Sequence, residues 1–250
     1  MQNRFLMIAM AVCCCVSSTV WSQPGPDGFV SITTMSDPYL FLVRDPYVHE
    51  LLDLNKKQTK SLRSLNDKAD PQIWKMRNRH PNEAAKTTVK LITVTRREIP
   101  KIIDKDQVER LQQIEMWALG VRSLLRENVA ATLNMTKSQV GEIQQIITIS
   151  DAEKSELQQR LRNGGDEAKL NKQYHEAQVR EQEQILEILK PAQQRQWVAM
   201  LGPRIELKKL GQVRFKAPDF SKSGKWVNSP SLTLDKLKGK VVALHFYAFA

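Results

Sequence analysis

The stretch Val129–Gln139 reads V-A-A-T-L-N-M-T-K-S-Q and leads into the helical run V-G-E-I-Q-Q-I. An earlier stretch, Val48–Gln58, has the same plan and reads V-H-E-L-L-D-L-N-K-K-Q. Each copy places an apolar pair before a helix-starting residue, Asn55 or Thr136, and a Gln three residues after it. The middle of the chain is therefore predicted to be a duplicated helical unit that serves as scaffold or binding surface.

Length and composition allow one large domain or two modest ones in 250 residues. An apolar fraction of 41%, with 26% charged residues, is ordinary for a globular protein. The net charge is +11, which is compatible with nucleic-acid binding. However, the basic residues are spread along helix faces without interleaved aromatic residues, so we expect no nucleic-acid partner. Envelope polyanions or acidic clients fit the charge better.

The first 22 residues have the pattern of a signal peptide. One charged residue (Arg4) precedes an apolar run (Phe5–Val16), and small residues lead to a predicted cleavage point after Ser22. The run is shorter than the roughly 20 apolar residues that a transmembrane helix needs, although an uncleaved anchor is the alternative. We therefore expect export to the periplasm or cell envelope, with no stable membrane span after cleavage.

All three cysteines lie within this predicted signal peptide, at Cys13, Cys14 and Cys15. A lipoprotein is disfavoured because Val12 is bulky for the position before the lipid-bearing cysteine. After cleavage the chain as given would have no thiol, disulfide or cysteine metal ligand.

Residues 23–38 are rich in Pro, Gly, Ser and Thr and are predicted to be a flexible lead-in. A helical domain is predicted over 39–210, with repeat units at about 48–120 and 129–202. Capping residues and prolines predict helix starts at Asp45-Pro46, Asn55, Pro81, Asp104, Thr136, Asp166 and Pro191. Pro71 is expected to interrupt the helix that Asn55 begins, and Pro100 to kink a helix that runs from Pro81 towards Ile103.

Apolar residues recur at helical spacing in the second unit. They are Val140, Ile143, Ile147, Leu157 and Leu161 in its first long helix, and Leu170, Tyr174, Ala177, Ile185 and Leu189 in the return helix. The last segments of the units also correspond, with Gln107 matching Gln193 and Leu111 matching Trp197. These patterns predict two antiparallel helical hairpins that pack as a bundle.

No motif in the helical region indicates catalysis or metal binding. Trp74, Trp117 and Trp197 are predicted to pack, while His49, His80 and His175 lack metal-ligand spacing. Alternating charges at Glu153-Lys154 and over Glu176–Arg180 predict a solvated helix face. We therefore assign no catalytic, cofactor-binding or metal residue, and no cofactor, within the chain as given.

The motifs L-N-M-T-K-S-Q and I-L-K-P-A-Q-Q-R-Q-W resemble the LTxxQ-type helical domains of exported bacterial stress proteins, the Spy and CpxP-like group. The resemblance covers roughly residues 48–202. The first copy departs from it, with Asn55 in place of Thr and Lys105-Asp106 where the second copy has Pro191-Ala192. The resemblance implies a basic, partly apolar cradle that binds unfolded clients or senses envelope stress.

From Gly211 to Ala250 turn residues alternate with short extended pieces. Lys225–Asn228 and Val241–Phe249 are predicted strands, the second buried on both faces, and Leu234–Leu237 is a predicted helical turn. An apolar strand without neighbours would be an aggregation hazard, so we expect further sheet residues beyond Ala250.

Three groups of residues in this region resemble the start of a thioredoxin-like redoxin domain of the TlpA-like and AhpC/TSA-like type. They are Ala217-Pro218-Asp219-Phe220, then Leu234-x-x-Leu237-x-Gly239-Lys240-Val241-Val242, and His245-Phe246-Tyr247-Ala248. The resemblance implies that a C-x-x-C or similar motif comes just after Ala250, and that the chain as given is inactive. The implied chemistry is thiol–disulfide exchange, or peroxide reduction.

The predicted fold is thus mainly α, a bundle of helical hairpins, followed by the first β elements of a thioredoxin-like α/β domain. The predicted function is that of an exported thiol–disulfide oxidoreductase or antioxidant. The alternatives are a non-enzymatic, chaperone-like or stress-sensing helical protein, and a structural envelope protein that binds polyanions. The implied partners are unfolded or disulfide-bearing envelope proteins.

Overall fold

A computed structural model describes residues 37–76, 79–213, 215, 219–220 and 226–243. This part of the chain is mainly helical, as predicted, and contains nine α-helices and four short 3-10 helices. The predicted signal peptide, 1–22, and nearly all of the predicted lead-in lie outside the described residues.

The first repeat unit, with the residues before it, forms five helices. They are α1 (Tyr39–Leu42), α2 (Pro46–Leu51), α3 (Lys56–Met76), α4 (Pro81–Glu98) and α5 (Lys105–Leu119), with a 3-10 turn at Ile99–Lys101 before α5. Helices α3 and α4 form the first hairpin. The starts predicted at Asp45-Pro46, Asn55 and Asp104 are confirmed, because each capping side chain accepts a hydrogen bond from a backbone N–H of the first turn.

The second repeat unit has the same order of elements. A 3-10 helix (Gly120–Leu125) leads to α6 (Glu127–Thr132), α7 (Lys137–Arg162), α8 (Glu167–Ile188) and α9 (Pro191–Met200). Helices α7 and α8 form the second hairpin. The starts predicted at Thr136, Asp166 and Pro191 are confirmed. Helix α5 of the first unit ends at Gly120, whose φ of 56° suits glycine.

The two units also begin with the same backbone turn. Asp53 (φ 47°) and Asn134 (φ 49°) are both left-handed residues that follow a six-residue helix. The next N–H in each unit, that of Leu54 or Met135, donates back to a helix carbonyl at 3.2 and 2.9 Å. Asp and Asn tolerate this conformation better than most residues, which is why the chain can reverse here without glycine.

Two proline predictions were wrong. Helix α3 continues through Pro71, because the loss of one backbone hydrogen bond is offset by packing on both sides, including a buried ion pair between Arg44 and the preceding Asp70 (2.9 Å). Helix α4 ends at Glu98 instead of kinking, and Pro100 lies in the 3-10 turn that follows. The effect of a proline inside a helix thus depends on what holds the flanking turns.

The main hydrophobic core joins both units. Its fully buried side chains include Leu42, Val48, Leu62, Ile99, Ile114, Leu124, Val129, Ile143 and Ile185. A second, smaller cluster of Leu157, Leu170 and Tyr174 lies towards the turn of the second hairpin. The second hairpin therefore has apolar contacts of its own, beyond those it shares with the rest of the bundle.

After α9 the chain returns to the N-terminal helices. The Asp45 carboxylate, which is fully buried, accepts a hydrogen bond from the Gly211 N–H (2.6 Å). The Tyr47 hydroxyl accepts one from the Glu206 N–H (3.0 Å), and Leu210 is buried. These contacts hold the predicted boundary near residue 210 against α2.

The predicted strands are absent from the described residues. In place of the predicted strand over Lys225–Asn228, Val227 and Asn228 lie in a bend and Trp226 has no regular structure, and Val227 is 80% exposed. Residues 241–243 do not form a strand. The rest of the strand predicted over Val241–Phe249 lies outside the described residues. A strand requires a partner at its edge, and the described part of the chain offers none. The helical turn predicted at Leu234–Leu237 is confirmed as a 3-10 helix, Asp235–Leu237.

Candidate functional site

A pair of glutamines joins two helix starts in the first unit. The Gln58 side-chain amide donates to the Gln107 side-chain oxygen (2.6 Å), and the Gln107 amide donates to the Leu52 carbonyl (2.9 Å). Each glutamine oxygen also accepts from the backbone N–H of its own helix cap, at Asn55 (3.0 Å) and Asp104 (3.1 Å). We call this arrangement a glutamine clasp.

The second unit repeats the clasp at equivalent positions. The Gln139 amide donates to the Gln193 oxygen (2.9 Å), and the Gln193 amide donates to the Leu133 carbonyl (3.1 Å). The two oxygens accept from the N–H groups of Thr136 (3.0 Å) and Lys190 (2.9 Å). The predicted match of Gln107 with Gln193 thus corresponds to the same hydrogen bonds in both units.

The clasp is structural and has no means of acid–base chemistry. Neutral amides neither gain nor lose a proton near pH 7, and every clasp oxygen and amide already has protein partners. The arrangement satisfies helix-start N–H groups that would otherwise lack a partner and fixes where α3 meets α5 and α7 meets α9.

The conspicuous aromatic and histidine side chains occupy separate places. Trp197 is buried and donates from Nε1 to the Ser123 hydroxyl (3.0 Å), and Trp117 is also buried. His49 contacts the Val43 carbonyl (2.9 Å) and His175 is exposed. No group of His, Cys, Asp and Glu among the described residues could hold a metal ion.

A buried ion cluster joins the helices of the second hairpin to each other. The Glu181 carboxylate on α8 accepts two hydrogen bonds from Arg122 (2.7 and 2.8 Å) and one from Lys154 on α7 (2.5 Å). Arg122 also contacts Asp151 (2.5 Å). Burial by itself raises the pKa of Glu181, but the hydrogen bonds from Arg122 and Lys154 outweigh it and lower that pKa to about 2.

This cluster was not predicted from the sequence, and the prediction made for Lys154 was wrong. Lys154 is 9% exposed, so it does not belong to the solvated face predicted for Glu153-Lys154. The signal was a gap in each apolar stripe: the first skips from Ile147 to Leu157, and the second from Ala177 to Ile185. Lys154 and Glu181 occupy core-facing positions within those gaps.

An open groove of about 660 Å³ runs along the second hairpin. Its apolar floor includes Ile146 and Ile188, which are half-buried, and Ile149, which is 62% exposed. Its rim includes the exposed carboxylates of Glu142 and Glu187. We call this feature the isoleucine groove.

The isoleucine groove combines an apolar strip with charged side chains at its edge. Three charged residues that line it are already in ion pairs, because Arg180 contacts Glu153 (2.5 Å) and Glu181 belongs to the buried cluster. An exposed apolar strip beside uncompensated carboxylates is a surface for a partner with apolar and basic groups. None of the helices that the structure describes combines the length and apolar character needed to cross a membrane.

No protein-family model, curated protein or solved structure matches this chain. The LTxxQ-type and redoxin resemblances therefore rest on the motifs themselves.

Proposed function

We propose that this protein is a non-enzymatic, chaperone-like module that binds unfolded apolar segments of other proteins in the isoleucine groove. The observation that carries the proposal is that the exposed Ile149 and the half-buried Ile146 and Ile188 line one open groove on the second hairpin. The resemblance to LTxxQ-type domains also implies client binding, although it implies a basic cradle, whereas the isoleucine groove has an acidic rim. With the predicted signal peptide, the clients are unfolded proteins of the periplasm or cell envelope.

The energetics suit reversible client binding. Full burial of one isoleucine side chain contributes about 1.5–3 kcal/mol relative to its exposed state. Ile149 is largely exposed, whereas Ile146 and Ile188 have less surface left to bury. A client segment therefore gains only a few kcal/mol from the floor of the groove, which gives weak binding and ready release.

The rim predicts which segments bind best. Glu142 and Glu187 give the groove an acidic border, and the nearest exposed arginine, Arg180, is paired with Glu153. Apolar segments flanked by Lys or Arg place their charges against these carboxylates. Peptides with an identical apolar centre are expected to bind more tightly with Lys flanks than with Glu flanks.

The test is suppression of client aggregation. The full chain, at an equimolar ratio, is expected to delay aggregation of a client protein diluted from denaturant, and Ile149→Ser is expected to remove at least about half of that delay. Val89→Ser is the matched control, because Val89 is 63% exposed but lies on the first hairpin. No protection by the wild type, or equal losses in both variants, would overturn the proposal.

A second candidate is thiol–disulfide exchange by a redoxin domain, which one observation favours. The Asp219 carboxylate, within the A-P-D-F motif, accepts a hydrogen bond from the Leu234 N–H (2.8 Å) at the start of L-x-x-L-x-G-K. The first two of the three groups of the redoxin resemblance are thereby joined by a hydrogen bond. The test is to read the gene beyond the codon for Ala250: a C-x-x-C pair and reduction of insulin disulfides by the product are expected, and a stop codon would contradict this function.

A further inference from the structure

The two hairpins carry opposite charge. Residues 56–98, which contain the first hairpin, have twelve Lys or Arg and four Asp or Glu, a net charge of +8. Residues 137–188, which contain the second, have seven basic and ten acidic residues, a net charge of −3. Most of the protein's net charge of +11 is therefore concentrated on the first hairpin.

Five exposed basic side chains of the first hairpin lie on the sides of α3 and α4 that face away from the core. On α3, Lys56, Lys60 and Arg63 follow a spacing of four and three, so they share one face of the helix, and all three are exposed. The buried residues of this helix, Leu62 and Ala69, lie on the other side.

The same holds for α4. Lys86 and Lys90 are one turn apart and exposed, whereas Leu91 and Ile92 are buried. We call Lys56, Lys60, Arg63, Lys86 and Lys90 the basic face.

Within the described part of the chain, no ion pair neutralises the basic face. The ion pairs that described residues of the first hairpin form with one another or with neighbouring elements involve Arg44, Arg79, Arg96, Arg97 and Lys101. None of the five residues of the basic face forms an ion pair within the described part of the chain. Lys56 with Lys60, and Lys86 with Lys90, are like-charged neighbours that repel each other. An external anion would relieve that repulsion.

We propose that the basic face docks the protein on an anionic phospholipid surface. Lysine ammonium groups are compact point charges, which suit a surface of many interchangeable headgroup phosphates better than one shaped site. Binding is electrostatic and peripheral, because the apolar sides of α3 and α4 are already buried in the core. Docking through the first hairpin leaves the isoleucine groove of the second hairpin open to clients.

Two other partners are less well supported. Single-stranded nucleic acid is held by exposed aromatic side chains that stack on bases, and the described residues of the first hairpin offer only Trp74, which is half-buried. A second copy could place its acidic hairpin on the basic face, but a charge of −3 spread over internally paired residues complements it weakly. Both partners are distinguishable in the experiment.

The experiment is co-sedimentation of the full chain with lipid vesicles. We expect binding to vesicles of phosphatidylcholine with about 30% phosphatidylglycerol, little binding to pure phosphatidylcholine, and release in about 0.5 M salt. Vesicles of pure phosphatidylcholine also serve as the control for membrane insertion of the apolar N-terminal residues, which does not require anionic lipid. Equal binding to both vesicle types, or binding that raised salt leaves unchanged, would overturn the proposal.

A pair of charge-reversed triple variants locates the surface. Lys56→Glu with Lys60→Glu and Arg63→Glu is expected to weaken binding to anionic vesicles at least about 100-fold, since each surface charge contributes roughly fivefold. Lys137→Glu with Lys169→Glu and Lys172→Glu is the control, because it makes the same change in net charge on exposed residues of the second hairpin. A similar loss in both variants would show that net charge, not the basic face, drives binding.

Two further outcomes count against lipid. Tighter binding to a DNA oligonucleotide than to anionic vesicles at the same salt would assign the basic face to nucleic acid. Salt-sensitive oligomers without vesicles, abolished by the first triple variant, would assign it to a second copy. Neither outcome affects the client-binding test of Ile149, so the two proposals fail separately.

Discussion

The first and second hairpins share their caps, turns and glutamine clasps but differ in how their charges are placed. In the second hairpin, Lys154 on α7 and Glu181 on α8 are buried against each other, so the ion pair joins the two helices. In the first hairpin, the buried ionic contacts lead outwards, from Asp70 to Arg44 and from Arg96 to Glu115. Among the described residues, the five side chains of the basic face form no ion pair.

This difference shows which features the repeated sequence motif determines and which it does not. The motif fixes where helices begin and which ends meet, because its hydrogen bonds are local to the caps and clasps. The remaining helix faces are independent of that motif. One copy carries the isoleucine groove and the other the basic face, so a single architecture supports two different proposed contacts.

The largest expected effect comes from breaking the buried ion cluster. Glu181→Ala leaves the buried Lys154 without its carboxylate and Arg122 with Asp151 alone, which is expected to lower the free energy of unfolding by about 3–5 kcal/mol. The measurement is denaturant unfolding. Glu183→Ala is the control because Glu183 is exposed on the same helix, and it should change stability by less than about 0.5 kcal/mol.

Amide hydrogen exchange sharpens this result. If the cluster mainly links α7 to α8, Glu181→Ala should speed amide exchange in these two helices more than in α3 and α4. Equal acceleration in both hairpins would mean that the cluster supports the whole bundle, and the proposed difference between the hairpins would be wrong.

Acid is expected to weaken the second hairpin through the same residue. The pKa of Glu181 is lowered from 4.5 to about 2 in the folded protein, so its ionised form stabilises the fold. This contribution is fully present above about pH 4.5 and is lost as the pH falls towards 2. The free energy of unfolding of the wild type should therefore fall more steeply over that range than that of Glu181→Gln. Parallel curves for the two proteins would contradict the assignment.

The helix starts could be predicted from the sequence, whereas the ionic contacts and the prolines could not. A cap such as Asp104 or Thr136 bonds within its own first turn, so the residues that decide it are adjacent in the chain. The burial of Lys154 depends on Glu181, which belongs to another helix. Pro71 is tolerated because tertiary contacts hold the turns on both sides of it, including the ion pair between Asp70 and Arg44.

The groove and the strands show the same limit. The isoleucine groove is formed by the packing of α7 against α8. In the sequence, nothing distinguishes Ile149 from the apolar residues that are buried in the core. The strand predicted at Lys225–Asn228 needed an edge partner that local sequence does not specify. Local patterns predict elements well only where the bonds that form them are also local.

The glutamine clasps should differ in cost between the units. Gln193 is buried, so Gln193→Ala leaves the Leu133 carbonyl and the Gln139 amide short of partners and should cost about 2 kcal/mol. Gln107 is half-buried and water can replace part of its bonding, so Gln107→Ala should cost about 1 kcal/mol. Denaturant unfolding of both variants measures the difference.

Gln196→Ala is the control for the clasp variants. Gln196 is exposed and makes one hydrogen bond, to the Thr132 carbonyl (3.0 Å), so its loss should be within about 0.5 kcal/mol. If Gln193→Ala is no more costly than Gln196→Ala, the clasp does not hold α7 and α9 together.

The smallest expected effect tests what the hairpins share. Asn55 accepts from the Gln58 N–H (2.9 Å) and Thr136 from the Gln139 N–H (3.2 Å), so replacing either residue with Ala should cost about 1 kcal/mol. The costs are expected to agree within about 0.5 kcal/mol, because a cap acts through its own first turn and is unaffected by the charge of the outer face. A cost confined to one hairpin would instead mean that helix placement and surface charge are coupled, and that the two copies no longer share one folding plan.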